Sequence, residues 1–368
     1  MGRPKTGCLS SFSPLIRQDI DNYRPGDGGW SAKVIAVELS LDPRFKTEPK
    51  PCVSSIYNYL SKRGKSKRKN QHSALPSSPT IVATRPHQVW QMDSEGTKQV
   101  LDLGWVAPIN VKDVAHKIYV MTYPCVLKTA SNHPITTDYQ RTLRLAFMEW
   151  GLPENLQTDH ESIFFDSKTK SPYPTQLHLW LIGLNIELYF TPFGKPQKQG
   201  MVEKSHQTMH RQITDGRSFD TATAIFEFAQ QRRQRLNEHI PSTVTQNLPP
   251  LVAHPDAAFS GRHYEAIKEE QIFDLVLVQN YLTKGIWYRR IAANNTISLG
   301  GYLYHLPSAE PTKDVQVRYN REQNTFDCFD ANGVLVGYQQ AKGLSFKELC
   351  GDLDDFLKWI QIVTLTKH

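Results

Sequence analysis

Three carboxylates in this 368-residue chain stand where the local pattern could make them reactive. Asp93 closes the strand-like run VWQMD, Asp159 closes NLQTD, and Glu203 opens the helical run GMVEKSHQTMHRQI. Strand ends and a helix start can converge at one edge of a sheet. Three carboxylates there would suit two Mg²⁺ ions, because a hard cation prefers oxygen ligands and takes the rest of its shell from water and phosphate. Mn²⁺ could substitute. Taken alone, LQTDHESIF (156–164) reads first as a polar turn between two apolar runs and only second as a strand end holding a metal ligand.

The helix bearing Glu203 can be laid on a wheel of about 100° per residue. Val202, Ser205, Met209 and Ile213 fall together as a packing stripe. Glu203, Gln207 and His210 share the adjacent, substrate-facing sector, while Lys204 and Arg211 share a third sector suited to phosphates. A purely structural amphipathic helix would give the same wheel. Just before it, FGKPQKQG (193–200) brings two glycines with Lys195 and Lys198, either a strand-contacting loop or a plain exposed one.

Other acids compete for the same role. Asp102 and Asp113 lie in hairpin-like segments, where an acid commonly marks a turn. Glu187 alternates with Ile186 and Leu188, so it should face away from that apolar side. Glu161 is the strongest substitute ligand. There is no H-E-x-x-H run and no phosphate-loop signature, so an ATP-dependent targeting step would need a separate protein.

The elements that must position these residues follow a definite order. SPLIRQDIDNY reads as a short helix, followed by the Gly-rich break RPGDGGW. SAKVIAVELS is a second helix with Ser31 as its N-cap. In PCVSSIYNYL, the residues Val53, Ile56, Tyr57 and Leu60 make one helical face. Two short amphipathic helices suggest a helix-turn-helix over 1–64, its second helix offering Ser54, Ser55, Asn58 and Lys62 to a major groove. A generic helical pair is the plain alternative, and LDPRFKTEPK is long for a tight turn.

A basic run follows: Lys62, Arg63, Lys65, Lys67, Arg68 and Lys69. It reads as a phosphate-binding arm that releases counterions, or as a solvated tether. Residues 65–84 form a basic and Pro/Ser-rich linker. The block 85–240 alternates strands and helices, with Gly151 stopping the helix TTDYQRTLRLAFMEW. A Pro-rich linker spans 241–270. Residues 271–342 alternate apolar and polar positions with GG and NG turns, the pattern of a small antiparallel barrel, and 343–368 form a helical tail.

The formal net charge is +7 and the pI about 9.0, which favours a polyanionic partner. The five cysteines are scattered, with no CxxC pair, arguing against a disulfide framework or zinc ribbon. No apolar run approaches the ~18–20 residues of a membrane span, and MGRPKTGCLS lacks a signal-peptide core. The expectation is a cytoplasmic, nucleoid-associated protein of bacterial type.

VWQMD, GLPENLQTDHESIF and LYFTPFGKPQKQGMVEKSHQTMHRQI together resemble the catalytic core of the retroviral-integrase-like DDE transposases, over about 85–240. The most specific part is the Pro-Gln…Gly-x-Val-Glu-Lys run that opens the last helix. The flanks are similar to the family's helix-turn-helix and small C-terminal barrel. The resemblance implies a multidomain protein with an RNase H-like α/β core. It implies Asp93, Asp159 and Glu203 as catalytic metal ligands for two Mg²⁺ ions, and terminal-repeat and target double-stranded DNA as substrates. It implies a homo-oligomer assembled on DNA. Two departures stand. His160-Glu161 follows the second Asp where members often have Asn-Gly, and 43 residues (160 to 202) separate Asp159 from Glu203, more than the family's name gives. A regulatory DNA-binding protein on an inactive scaffold, or an RNase H-like nuclease that never joins strands, are the alternatives.

Overall fold

The computed structural model describes residues 9–25, 29–65, 83–159, 162–164, 166, 169, 171–191 and 200–365. Lys67, Arg68, Lys69, His160, Glu161, Lys195 and Lys198 lie outside the described residues.

Three helices come first: α1 (Pro14–Tyr23), α2 (Ala32–Leu41) and α3 (Val53–Lys62). Then follow β1 (Val89–Ser94), β2 (Lys98–Val100), β3 (Gly104–Asp113), β4 (Tyr119–Leu127), α4 (Thr136–Trp150) and β5 (Asn155–Thr158). The middle of the chain continues with α5 (Gln176–Gly183), β6 (Glu187–Phe190), α6 (Gly200–Met209), α7 (Ala222–Glu238) and α8 (Pro250–Ala253). After α9 (Glu269–Ile272) and α10 (Leu275–Thr283) come β7 (Ile286–Arg290), β8 (Thr296–Leu299), β9 (Tyr302–His305), β10 (Asp314–Asn320), β11 (Thr325–Phe329) and β12 (Leu335–Gln340). The last elements are α11 (Phe346–Leu349) and α12 (Leu353–Leu365). No helix among the described residues is long and apolar enough to cross a membrane.

The larger sheet has the order β2-β3-β1-β5-β6, with β4 also paired to β3. β1 runs parallel to β5 and β5 to β6, while β3 pairs antiparallel with β2 and β4. Parallel strands are covered on both faces and read as nearly unbroken buried runs. Trp90, Gln91, Met92, Leu156 and Gln157 accordingly have almost no exposed surface. The chain divides into two compact units, and the division falls inside β1, between Met92 and Asp93.

The first unit takes residues 1–82, 93–133 and 200–258. Its apolar cluster joins Ile16, Ile20, Val34, Ile35, Ile56 and Leu60 of the N-terminal helices to Met209, Ile213, Ile225, Ala229 and Leu236. Burying one such aliphatic side chain is worth roughly 1.5–3 kcal/mol. Trp30 is the centre of this packing. Its indole Nε1 donates to Gln212 O at 3.4 Å, and the Arg232 guanidinium lies 4.0 Å over its ring. Arg232 in turn donates to Gln212 Oε1 at 2.7 Å and pairs with Glu38 at 2.7 Å. Ser31 caps α2 by accepting from Val34 N, as its position in the sequence suggests.

The apolar face of α3 needs correction. Ile56, Tyr59 and Leu60 are buried, whereas Val53 and Tyr57 are exposed. Ile56, Tyr59 and Leu60 are spaced i, i+3, i+4, which is also one helical face, and the buried Tyr59 hydroxyl finds a partner in Asp21 Oδ2 at 2.9 Å.

The second unit takes residues 83–92, 134–199 and 259–368. Gly151 ends α4 with φ 79°, where a Cβ would meet Ser260 Oγ at 2.3 Å. Inside, the fully buried Arg144 holds both carboxylate oxygens of Glu269, at 2.7 and 2.8 Å. Trp180 Nε1 and the Tyr264 hydroxyl donate to the same carboxylate. A buried pair is tolerated only when satisfied in this way. The tail packs on its own unit: Gln140 Nε2 donates to Leu349 O at 2.8 Å, Arg141 pairs with Asp352 at 2.9 Å, and Phe356 is fully buried.

The expected closed barrel over 271–342 is also corrected. Glu269–Ile272 and Leu275–Thr283 are helical, the second capped by Asp274, which accepts from Val276 N at 2.8 Å. Val278 and Leu282, four apart, are buried, so the apolar run there has helical rather than strand period. The strands form a four-stranded antiparallel sheet, β12-β11-β10-β7, and a separate hairpin, β8-β9. No barrel closes among the described residues. The GG turn is real: Gly300 and Gly301 have φ 60° and 84°, the positive values a two-residue hairpin loop demands.

Candidate active site

Asp93 and Glu203 belong to the first unit and Asp159 to the second. Asp93, on β1, is half-buried. Its Oδ2 lies 3.3 Å from His206 Nε2. Asn110 Nδ2, on β3, is 2.9 Å from His206 Nδ1, and Thr122 Oγ1, on β4, donates to Asn110 Oδ1 at 2.7 Å. The order of donors fixes the histidine's tautomer. Thr122 occupies the carbonyl of Asn110, so the amide nitrogen faces the imidazole and donates to Nδ1, which leaves the proton on Nε2 to point at Asp93.

Glu203 is exposed in the first turn of α6, three residues before His206. Residues three apart are neighbours on a helix surface. His206 therefore ties Asp93 to the helix that bears Glu203, one turn away. The wheel expected from sequence holds for Val202, Ser205, Met209 and Ile213, which are buried, and for Glu203, Lys204, Gln207 and Arg211, which are exposed. It does not hold for His210, which is half-buried where the helix passes into a π-helical turn, His210–Thr214. His206 and His210 are spaced as a helical metal pair would be, yet they go to different partners. His210 Nδ1 lies 2.6 Å from Thr214 Oγ1, and burial first, then Lys98, holds its pKa below the usual histidine range.

Asp159 is half-buried, directly after β5. Gln157, two residues earlier, is paired in register with Gln91 of β1 and accepts its amide proton at 2.8 Å. Thr158 O accepts from Thr191 N at 2.9 Å, which holds the end of the strand.

Within the first unit, the carboxylates of Asp93 and Glu203 are ligands of the kind a hard divalent cation takes. Among the described residues neither Asp93 nor Glu203 pairs with a lysine or arginine, whereas Asp21, Glu38 and Glu269 all do. A carboxylate left without a cationic partner keeps its oxygens for a metal.

The competing acids fall where the sequence put them. Asp102 sits in a turn at φ 64°, and Asp113 is buried with Oδ2 accepting from His116 N at 2.6 Å. Glu187 is exposed between buried Ile186 and Leu188. A cleft of about 620 Å³ in the second unit is lined by Asp166, Tyr173, Arg289, Gly300 and others, and includes none of the three carboxylates.

On α3, Ser54, Asn58 and Lys62 are exposed and Ser55 is half-buried; just beyond its end, Arg63 is exposed and Lys65 half-buried. Tyr57 joins that exposed surface, a consequence of the corrected apolar face. Two members of the basic run have internal partners, since Asp21 pairs with Arg63 at 2.7 Å and Lys65 at 2.9 Å. Burial alone would raise the Asp21 carboxyl, but Lys65 and Tyr59 hold it below its ordinary value.

No protein-family model matches the chain. Among solved structures it is similar to a chain in the cryo-EM structure of the simian T-cell lymphotropic virus intasome in complex with PP2A regulatory subunit B56 gamma, at 13% identity and TM-score 0.38, covering 78% of this chain and 92% of that one. It is also similar to the HTLV-2 integrase catalytic core domain in complex with magnesium. The trimeric form matches at 10% identity and TM-score 0.34, over 48% of this chain and 99% of that one. The dimeric form matches at 11% and 0.32, over 46% and 97%. At these identities and TM-scores the matches assign this chain no activity.

Proposed function

We propose that the chain is a DNA transposase or integrase that binds element ends and carries out metal-dependent strand cleavage and strand transfer. Asp93, Asp159 and Glu203 are its metal ligands. The observation that carries this reading is the contact between Asp93 and His206, one turn from Glu203, with neither carboxylate neutralised by a lysine or arginine. Two Mg²⁺ ions held there would activate water or a DNA 3′-hydroxyl and stabilise the leaving 3′-oxygen. The protein's share is positional. His206 orients one Asp93 oxygen by donating to it, which leaves the other free to ligate. Lys204, Gln207 and Arg211, exposed along the same helix, supply contacts for the DNA backbone. α3 offers Ser54, Asn58 and Lys62 to a groove as the second helix of a helix-turn-helix. Two ends must be joined in concert, so the working form is a homo-oligomer on DNA.

The test is an assay with the native element's terminal repeats, Mg²⁺ and a target duplex. Joined products establish the reading. Cleavage without joining makes the protein a nuclease, and specific binding without either makes it a regulatory or assembly protein.

A further inference from the structure

A second group of metal-ligating side chains lies in the first unit and has no part in the chemistry above. One ring nitrogen from each of His116 and His254 and a carboxylate oxygen of Asp256 all lie within 4.8 Å of one another. The two imidazoles meet edge to face, with ring centroids 4.0 Å apart. His116 Nδ1 is buried and makes no hydrogen bond among the described residues. A buried ring nitrogen without a partner is costly unless something else supplies one.

The backbone on both sides is held in place. In the turn between β3 and β4, His116 N donates to Asp113 Oδ2 at 2.6 Å, and Asp113 N donates to Ile118 O at 3.0 Å. On the other side, His254 caps α8 by donating to Pro250 O at 3.0 Å, and Ala257 N donates to His254 O at 3.1 Å. Pro250 and Pro255 bracket His254 and stiffen the loop further.

We propose that His116, His254 and Asp256 bind one zinc ion, which clips the β3–β4 turn to the segment following α8. Two imidazoles and one carboxylate suit zinc and disfavour magnesium, which takes oxygen ligands and keeps its waters. Tetrahedral coordination at about 2.0–2.2 Å needs ligand atoms roughly 3.3 Å apart. Closure to that spacing takes a rotation of the exposed Asp256 side chain and a separation of the two rings from 4.0 Å to the roughly 5 Å that tetrahedral coordination by two imidazoles gives. Water fills the fourth position.

The experiment uses the full chain without a histidine tag, stripped by a chelator and carrying Asp93→Asn and Glu203→Gln so that the carboxylate site does not compete. Zinc is titrated against a chromophoric chelator, and Co²⁺ is used as a spectroscopic substitute. The expected result is one zinc per chain, a rise in melting temperature, and the intense visible bands of a four-coordinate Co²⁺. His254→Asn and, separately, Asp256→Asn should each weaken binding by more than the roughly 10–100-fold that loss of an outer hydrogen-bond partner costs. Both lie on the surface loop, and circular dichroism verifies that they fold. A folded parent that takes up no zinc, or His254→Asn binding as tightly as the parent, overturns the proposal. Neither result bears on cleavage or joining, which the terminal-repeat assay reads separately.

Discussion

Gln91 donates its side-chain amide to Gln157 Oε1 at 2.8 Å, between two buried positions paired in register on β1 and β5. Each glutamine is followed two residues later by an aspartate, Asp93 after the one and Asp159 after the other. The pair holds β1 in register with β5 within the second unit. Gln91→Leu alone should destabilise the protein by about 1–3 kcal/mol, because it strands a buried amide. Gln91→Leu with Gln157→Leu should recover much of that, measured by urea denaturation. Equal losses from the single and the double variant would show that the amide pair has no such role.

Replacing Asp93, Asp159 or Glu203 by the matching amide keeps the size and removes one charge. Cleavage and joining should fall together by at least about 10²-fold, since both rest on the same electrostatic clamp. Binding to terminal repeats should persist, because phosphate contacts dominate affinity. Glu161→Gln should keep substantial activity. If Glu161→Gln were dead and Glu203→Gln active, Glu161 rather than Glu203 would be the third ligand.

Under the proposed function, His206 acts through Asp93, which it contacts at 3.3 Å. His206→Ala should raise the Mg²⁺ concentration needed for half-maximal cleavage by about 10–100-fold, the cost of losing an outer partner. His206→Gln, which retains a donor, should recover part of it. A uniform loss of rate at every Mg²⁺ concentration would mean that His206 serves only the packing of α6.

Exposed residues of α3 should read sequence and charge separately. Asn58→Ala, in the full chain, should lower discrimination between terminal repeat and random duplex by about 1–3 kcal/mol. Lys62→Ala should weaken binding to both alike and reduce the slope of log K against log salt by about 1. A filter-binding salt series distinguishes the two. An unchanged specificity ratio in Asn58→Ala would remove that side of α3 from base recognition.

Burial lowers the pKa of His178 from 6.5 to about 4. Unfolded, this histidine takes up its proton near 6.5, whereas the folded protein resists until about 4. Below the unfolded value protonation therefore favours the unfolded chain. Its contribution to stability is complete above pH 6.5 and is lost as pH falls towards 4, on the order of 3 kcal/mol in all. Chemical denaturation at pH 7.5 and pH 4.5 should show His178→Phe, which keeps the ring contacts with Phe190 and Tyr281, losing less stability than the parent. Parallel losses would locate the acid sensitivity elsewhere.

Local signals in the sequence were strong where one physical cause dominated. Ser31 before an apolar run, Gly151 after one, and the stripe Val202–Ser205–Met209–Ile213 each depend on residues within a turn or two of each other. α3 misled because Tyr57 and Tyr59 both complete a helical stripe with Ile56 and Leu60, and the choice rests on Asp21, far away in the chain. The barrel misled because LVLVQNYL is too short an apolar run for period alone to separate helix from strand. The chain Thr122–Asn110–His206–Asp93 draws on two strands and a helix, and nothing in the spacing of those residues announces it. His206 alone had a local signal, one turn after Glu203 on an otherwise apolar side of the helix.

The packing around Trp30 makes the N-terminal helices a poor candidate for an exchangeable cassette. Their inner faces close over Met209, Ile213, Ile225, Ala229 and Leu236, so trimming the chain before β1 would leave a greasy scar on the very helices that follow Glu203. A chimera that borrowed a different DNA reader would have to import the seam as a matched set, with Trp30, Glu38, Gln212 and Arg232 chosen together. Under the proposed function, changes of end specificity should accumulate as surface edits on α3 rather than arrive by shuffling of whole modules.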